Sequence, residues 1–122
     1  MLNAALWMAE GFVALVMALT GTVKVVLPRE ALAKRMHWAA TWPPWRIKVL
    51  GLAELAGAVG LVVPRATGIA PVLTPIAALC LAALMAGAVR THQRHGEGFL
   101  PAAVIGALCV GIATGLLAGP AA

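Results

Sequence analysis

Charged residues are scarce in this 122-residue sequence: 11% are Asp, Glu, Lys or Arg, whereas 62% of all residues are hydrophobic. A soluble domain of this size could not bury so much apolar surface, so the excess is expected to face lipid. The formal net charge of +5 does not indicate nucleic-acid binding. The Lys and Arg residues lie between apolar segments, where basic residues orient a membrane protein, and no nucleic-acid partner is expected.

Motifs typical of electron carriers and metal proteins are also lacking. The two cysteines, Cys80 and Cys109, form no CxxC pair, and the sequence has neither a nucleotide-binding loop nor histidines paired for haem. Both cysteines fall near mid-bilayer and could lie close together, but apolar packing is the expected use. His92 and His95 have no nearby set of acids or thiols, so no metal site is expected. A redox role would therefore need a partner or a bound quinone.

Four apolar segments have about the length that crosses a bilayer, roughly 20 residues. The first is too long for a signal peptide and has no basic region before it, so it is expected to be a retained helix. Spans one and two are expected to end at Pro28 and Pro64, because proline cannot continue a helix. The polar residues 90–98 are expected to form a loop. The prediction is an all-α membrane protein, a four-transmembrane-helix bundle in one domain over residues 1–122, with spans at about 3–27, 45–63, 71–89 and 99–118.

A basic, Trp-rich connector joins spans one and two. Residues 29–40 are expected to form a short amphipathic helix, and Trp-Pro-Pro-Trp at 42–45 to force an extended break. Tryptophan prefers the headgroup region, so the connector is expected to lie in the membrane surface. Basic residues flank the loops after spans one and three, while Arg65 stands alone after span two. The positive-inside tendency then places both termini outside.

Glu54 is the most informative residue, because a carboxyl group in an apolar span costs about 2.5–3.5 kcal/mol on insertion and usually pairs inside the bundle. Its expected partner is Lys24 on span one, with Arg90 and His92 approaching the same half from span three. Two interpretations stay open. Glu54 could exchange a proton with a lipophilic ligand in a polar pocket, assisted by Lys24 or His92, or the ion pair could only fix helix register.

Two other features predict helix contacts. Glu10 lies about 21 Å along span one from Lys24 and is expected to accept a hydrogen bond from Trp7 or from a hydroxyl on another span. The alternative is that Glu10 marks an outward-facing polar site. Small residues recur every four positions on span four and predict close helix approach, within the bundle, in a homodimer or with a partner membrane protein. They are Ala103, Ala107, Gly111, Gly115 and Gly119.

Three segments resemble the DoxX-like family of small four-span bacterial membrane proteins. They are Gly21-Thr-Val-Lys24, the Glu54 segment from Gly51 to Pro64, and Ala88-Val-Arg-Thr-His92. The resemblance covers about residues 5–115 and implies the four-helix fold in a bacterial inner (cytoplasmic) membrane. Named relatives include a small subunit of a thiosulfate:quinone oxidoreductase, whereas distant relatives act in assembly or cargo handling, so the fold alone does not settle function.

The leading hypothesis is a binding subunit that holds a quinone or another lipophilic molecule in a membrane redox complex. Its expected ligand-binding residues are Lys24, Glu54, Arg90 and His92, with Trp38, Trp42 or Trp45 near the mouth of the pocket. One alternative is a stand-alone isomerase or hydrolase that uses Glu54, His92 and Lys24 in acid/base chemistry. Another is an assembly or scaffold protein that contacts its partner through span four and the connector.

Overall fold

The computed structural model describes residues 2–118, and in this range every regular element is a helix. Four helices are long and apolar enough to cross a membrane, which confirms the predicted four-helix membrane bundle. A short helix and a 3-10 turn, His37–Thr41, form the connector. The helices are α1 (Leu2–Val26), α2 (Arg29–Ala33), α3 (Pro44–Thr67), α4 (Leu73–Arg94) and α5 (Leu100–Ala118).

Two of the predicted helix ends are wrong. Helix α3 does not stop at Pro64 but continues to Thr67, where Gly68 ends it with φ 73°. Proline removes one amide donor, yet the last turn still closes, since the Gly68 N–H donates to the Pro64 carbonyl at 3.0 Å. Helix α4 runs to Arg94, so the first part of the expected loop 90–98 is helical. The polarity of these residues limits how far α4 can extend into lipid. It does not determine where the backbone hydrogen bonds of the helix end.

The connector is less helical than expected but breaks where predicted. Helix α2 covers only Arg29–Ala33 of the expected helix 29–40. Trp42 and Pro43 are extended, with φ/ψ of −95°/142° and −65°/146°, and Pro44 begins α3. The connector folds back onto the bundle, because Leu32, Trp38 and Ala39 share a small core with Ile47 at the start of α3. We call this side of the bundle the connector end.

The four long helices form two pairs. Helix α1 makes most of its contacts with α3, and α4 makes most of its contacts with α5. The first pair approaches closely at Gly21 and Gly51, where a Cβ added to Gly21 would lie 2.7 Å from the Gly51 carbonyl oxygen. This close approach brings Lys24 and Glu54, one turn further along their helices, within reach of each other.

Gly21→Ala is therefore expected to lower the free energy of unfolding by about 1–3 kcal/mol, because backbone must move to admit the methyl group. Gly11→Ala on the same helix is the matched control, since nothing lies within 4 Å of a Cβ added there. The control should be neutral or slightly stabilising, as alanine favours the helix by about 1 kcal/mol over glycine. Unfolding of the purified protein in mixed detergent measures both; equal stability of the two variants would contradict the close contact.

Candidate functional site at the connector end

A cavity of about 530 Å³ lies between the two helix pairs at the connector end. Its wall is mainly apolar, formed by side chains such as Met17, Leu50, Leu84 and Ile105. Few polar groups interrupt this wall, and those groups come from five different parts of the chain. They are Thr20 and Lys24 of α1, Arg35 of the connector, Glu54 of α3, Thr91 and His92 of α4, and Glu97 in the loop before α5.

An ion pair between α1 and α3 forms one polar side of the cavity. Lys24 Nζ lies 2.7 Å from Glu54 Oε1 and 2.9 Å from Oε2, and the side chains are 8% and 2% exposed. The Thr20 hydroxyl donates to Glu54 Oε2 at 3.4 Å. The predicted contact is present, and both carboxylate oxygens have partners. A buried charge needs this degree of pairing, because desolvation otherwise costs more than the attraction returns.

A second polar group lies across the cavity, where α4 meets the following loop. Glu97 is held in place by the connector, since its carboxylate accepts the Trp38 N–H at 3.2 Å and the His37 N–H at 3.3 Å. Its own N–H donates to the His92 carbonyl at 2.8 Å. The loop and the connector are thereby joined, and His92 Nδ1 lies 4.0 Å from Glu97 Oε2.

Tryptophans of the connector complete the cavity. The Trp38 and Trp42 rings meet edge to face with centroids 4.9 Å apart. Trp38 is buried and its ring centroid lies 6.0 Å from Lys24 Nζ, while Trp42 stacks on Arg46 at 4.6 Å. The packing fixes two aromatic surfaces in the cavity wall, of which Trp38 lies beside Lys24.

Two of the expected site residues are placed elsewhere. Arg90 is exposed and does not line the cavity, because it lies two residues before His92 and so points to a different side of α4. Trp45 is 66% exposed in the first turn of α3. Sequence reasoning missed Arg35 and Glu97. Glu97 carried one signal that could have revealed it, an acidic side chain in a loop otherwise rich in basic residues and histidine.

A second buried ion pair joins α1 and α3 at the opposite end of the bundle. Glu10 is fully buried, and Arg65 Nη1 lies 3.0 and 2.9 Å from its two carboxylate oxygens. Arg65 also donates to the Asn3 side chain, and its guanidinium stacks on the Trp7 ring at 4.2 Å. The expectation for Glu10 was therefore wrong in its partner: Trp7 contacts Arg65, and Arg65 satisfies Glu10. None of these residues lines the cavity.

The remaining sequence features lie outside the cavity. Cys109 is buried in the main core and Cys80 is exposed on α4, and both are free thiols. Within residues 2–118, no group of three or more His, Cys, Asp or Glu side chains could hold a metal ion. On α5, Gly115 packs against Leu6 of α1, whereas nothing lies within 4 Å of a Cβ added to Gly111. Gly119 falls outside the described residues.

The fold and the cavity define a small integral membrane protein with a mainly apolar internal site. The model of the DoxX-like family matches residues 8–118. The chain therefore belongs to the DoxX-like family, as the sequence motifs indicated. No curated protein and no solved structure was found to match it.

Proposed function

We propose that this protein is a membrane-embedded binding subunit for a quinone or another lipophilic small molecule, acting in a membrane redox complex. The observation that carries the proposal is the cavity of about 530 Å³ beside the Lys24–Glu54 pair. Its volume lies in the range of small-molecule sites, about 300–1,000 Å³. An apolar wall with few convergent polar groups suits a molecule with a lipophilic body and a polar head.

The cavity is well placed for a ligand that reaches it through the bilayer. Some of its lining residues, among them Ala83 and Gly87 of α4 and Pro101 of α5, are exposed rather than enclosed. In a membrane these positions border lipid, so a lipophilic molecule could enter without crossing water. The supporting feature is the exposure of these three lining residues.

The alternative of a stand-alone acid/base enzyme is less well supported. Both Glu54 oxygens lie within 2.9 Å of Lys24 Nζ, and Oε2 also accepts from Thr20. A carboxylate held in this way is a poor general base, because taking up a proton would break the pairing of Lys24. The arrangement favours Glu54 as the group that positions the lysine ammonium toward the cavity.

We further propose that the connector end faces the cytoplasm of a bacterial inner membrane, which leaves both termini outside. The support is the positive-inside tendency, because most basic residues belong to this end. They are Arg29, Lys34, Arg35, Arg46, Lys48, Arg90 and Arg94. A homodimer or a partner membrane protein would meet the exposed face of α5 near Gly111, in line with the small-residue spacing.

Filling the cavity tests the proposed function. Ala88 of α4 lines the cavity, and Ala88→Phe is expected to weaken quinone binding by at least about 10-fold, because the ring occupies the ligand's space. Ala86→Phe is the matched control, since Ala86 is exposed on the same helix and does not line the cavity. Binding of a decyl-substituted benzoquinone to the protein in detergent micelles measures both variants. Absence of binding by the unaltered protein, or equal binding by both variants, would refute the proposal.

A further inference from the structure

One buried hydrogen-bonding atom of the cavity has no partner. Among residues 2–118, His92 Nδ1 is shielded from solvent and makes no hydrogen bond. An unsatisfied buried polar atom costs about 1–3 kcal/mol, so such an atom in a native site requires an explanation. His92 lines the cavity, and a bound molecule is therefore a natural source of the missing partner.

The neighbouring carboxylate does not fill this role. Glu97 Oε2 lies 4.0 Å from His92 Nδ1, beyond hydrogen-bonding distance. Glu97 cannot readily move closer, because both carboxylate oxygens accept backbone N–H groups of His37 and Trp38. Two polar atoms facing each other at this distance can be joined by one intervening atom. If an oxygen atom lay about 2.8 Å from each of them, the angle at that oxygen between His92 Nδ1 and Glu97 Oε2 would be about 90°. A hydroxyl group accommodates this angle.

The chemistry of the two atoms selects the kind of oxygen. A carboxylate accepts hydrogen bonds only, and its negative charge favours the proton of the imidazole on the nearer nitrogen, Nδ1. The intervening oxygen must therefore accept from His92 and donate to Glu97. A hydroxyl group does both, whereas a carbonyl oxygen would accept from His92 but turn its lone pairs toward the carboxylate.

The other charges of the cavity favour an uncharged head. The remaining titratable groups that line it are Lys24, Arg35 and Glu54, and Lys24 is already neutralised by Glu54. Arg35 is exposed to water and balances Glu97 in formal charge. The wall thus carries two basic side chains and two carboxylates besides His92. No net charge is left to attract a charged head into the apolar site.

We infer that the cavity selects a lipophilic ligand with a hydroxyl head, an alcohol, a phenol or a hydroquinone, whose oxygen bridges His92 Nδ1 and Glu97. The inference rests on the proposed function and narrows it: of the two redox forms of a quinone, the reduced form fits this position better. Glu97 is the residue that sets the preference, and His92 contributes affinity toward either form.

A single pair of probes tests the inference. A decyl-substituted benzoquinone and the hydroquinone made by reducing it share the same tail and differ at the two oxygens. Their dissociation constants for the purified protein, measured without oxygen by quenching of tryptophan fluorescence, should favour the hydroquinone by about 10-fold, the value of one good hydrogen bond. Glu97→Gln should remove or reverse the preference, because an amide can donate to a carbonyl. Lys34→Met, a change at an exposed side chain outside the cavity, should leave the preference intact.

The set of outcomes distinguishes failure of the inference from failure of the proposed function. Tighter binding of the hydroquinone, lost in Glu97→Gln, supports both. Equal binding of the two forms, or tighter binding of the quinone, overturns the hydroxyl preference and leaves the binding function standing. If Glu97→Gln still binds the hydroquinone more tightly, Glu97 does not set the preference, and the inferred bridge between His92 and Glu97 is overturned. Binding of neither form overturns both, and the comparison with the unaltered protein needs no variant to fold.

Discussion

Lys24→Met is expected to lower the free energy of unfolding by about 3–5 kcal/mol, because it leaves the Glu54 carboxylate buried without its cation. Glu54 is 2% exposed and retains only the Thr20 hydroxyl at 3.4 Å, which cannot replace an ammonium group. Unfolding in mixed detergent measures the loss. Lys34→Met is the matched control, since Lys34 is exposed in the connector, and it should change stability by less than about 0.5 kcal/mol.

The double variant Lys24→Met/Glu54→Met separates structure from binding. Replacing both partners by apolar side chains removes the unpaired charge, so stability should return to within about 1–2 kcal/mol of the unaltered protein. The cavity would then lack one polar side, and affinity for the decyl benzoquinone should fall by at least about 10-fold. A stable double variant that binds the quinone normally would show that the pair only ties α1 to α3.

The bundle and the Lys24–Glu54 contact could be predicted because strong physical constraints determine both. Apolar residues in excess of what a small domain buries must face lipid, and the spacing of four such segments sets the helix count. A carboxyl group about two turns inside a span must find a cation. Lys24 lies near the same end of the neighbouring span, and its stem is long enough to cover the remaining gap.

The position of Arg90 could not be predicted because the end of α4 was misjudged. With residues 90–98 treated as a loop, Arg90 and His92 were free to point the same way. In the helix they are two residues apart, which turns their side chains about 200° from each other. Only His92 therefore reaches the cavity, while Arg90 is exposed.

Glu97 escaped prediction because its role depends on tertiary contacts. Its carboxylate binds backbone N–H groups of the connector, some 60 residues earlier in the chain. Backbone donors of this kind leave no pattern in the sequence. The size of the cavity is likewise set by how two helix pairs separate at the connector end, which periodicity alone does not reveal.

Glu10 and Arg65 were not paired in the sequence analysis for a related reason. Ending span two at Pro64 placed Arg65 in a loop, where a lone basic residue needs no partner. Helix α3 instead includes Arg65 in its last turn, with its side chain 8% exposed and directed to Glu10. The two helices thus carry one ion pair near each end, and only the pair at the connector end lines the cavity.

This arrangement provides an internal control, because Arg65→Met should destabilise the bundle as much as Lys24→Met without weakening ligand binding. The expected loss is about 3–5 kcal/mol, since Glu10 is fully buried and loses both of its close contacts. Arg65→Lys should be intermediate. It keeps a positive charge but loses the hydrogen bond to Asn3 and the planar stacking on Trp7.

Unfolding and quinone binding measured on the same preparations distinguish the two ends of the bundle. Arg94→Met, at an exposed arginine in the last turn of α4, is the control for loss of charge and should be close to neutral. Folded Arg65→Met protein should bind the decyl benzoquinone with unchanged affinity, because Glu10 and Lys24 are about 21 Å apart along α1. A parallel fall in affinity would mean that binding follows global stability, and the reduced affinity expected of the Lys24 and Glu54 variants would then say nothing specific about the cavity.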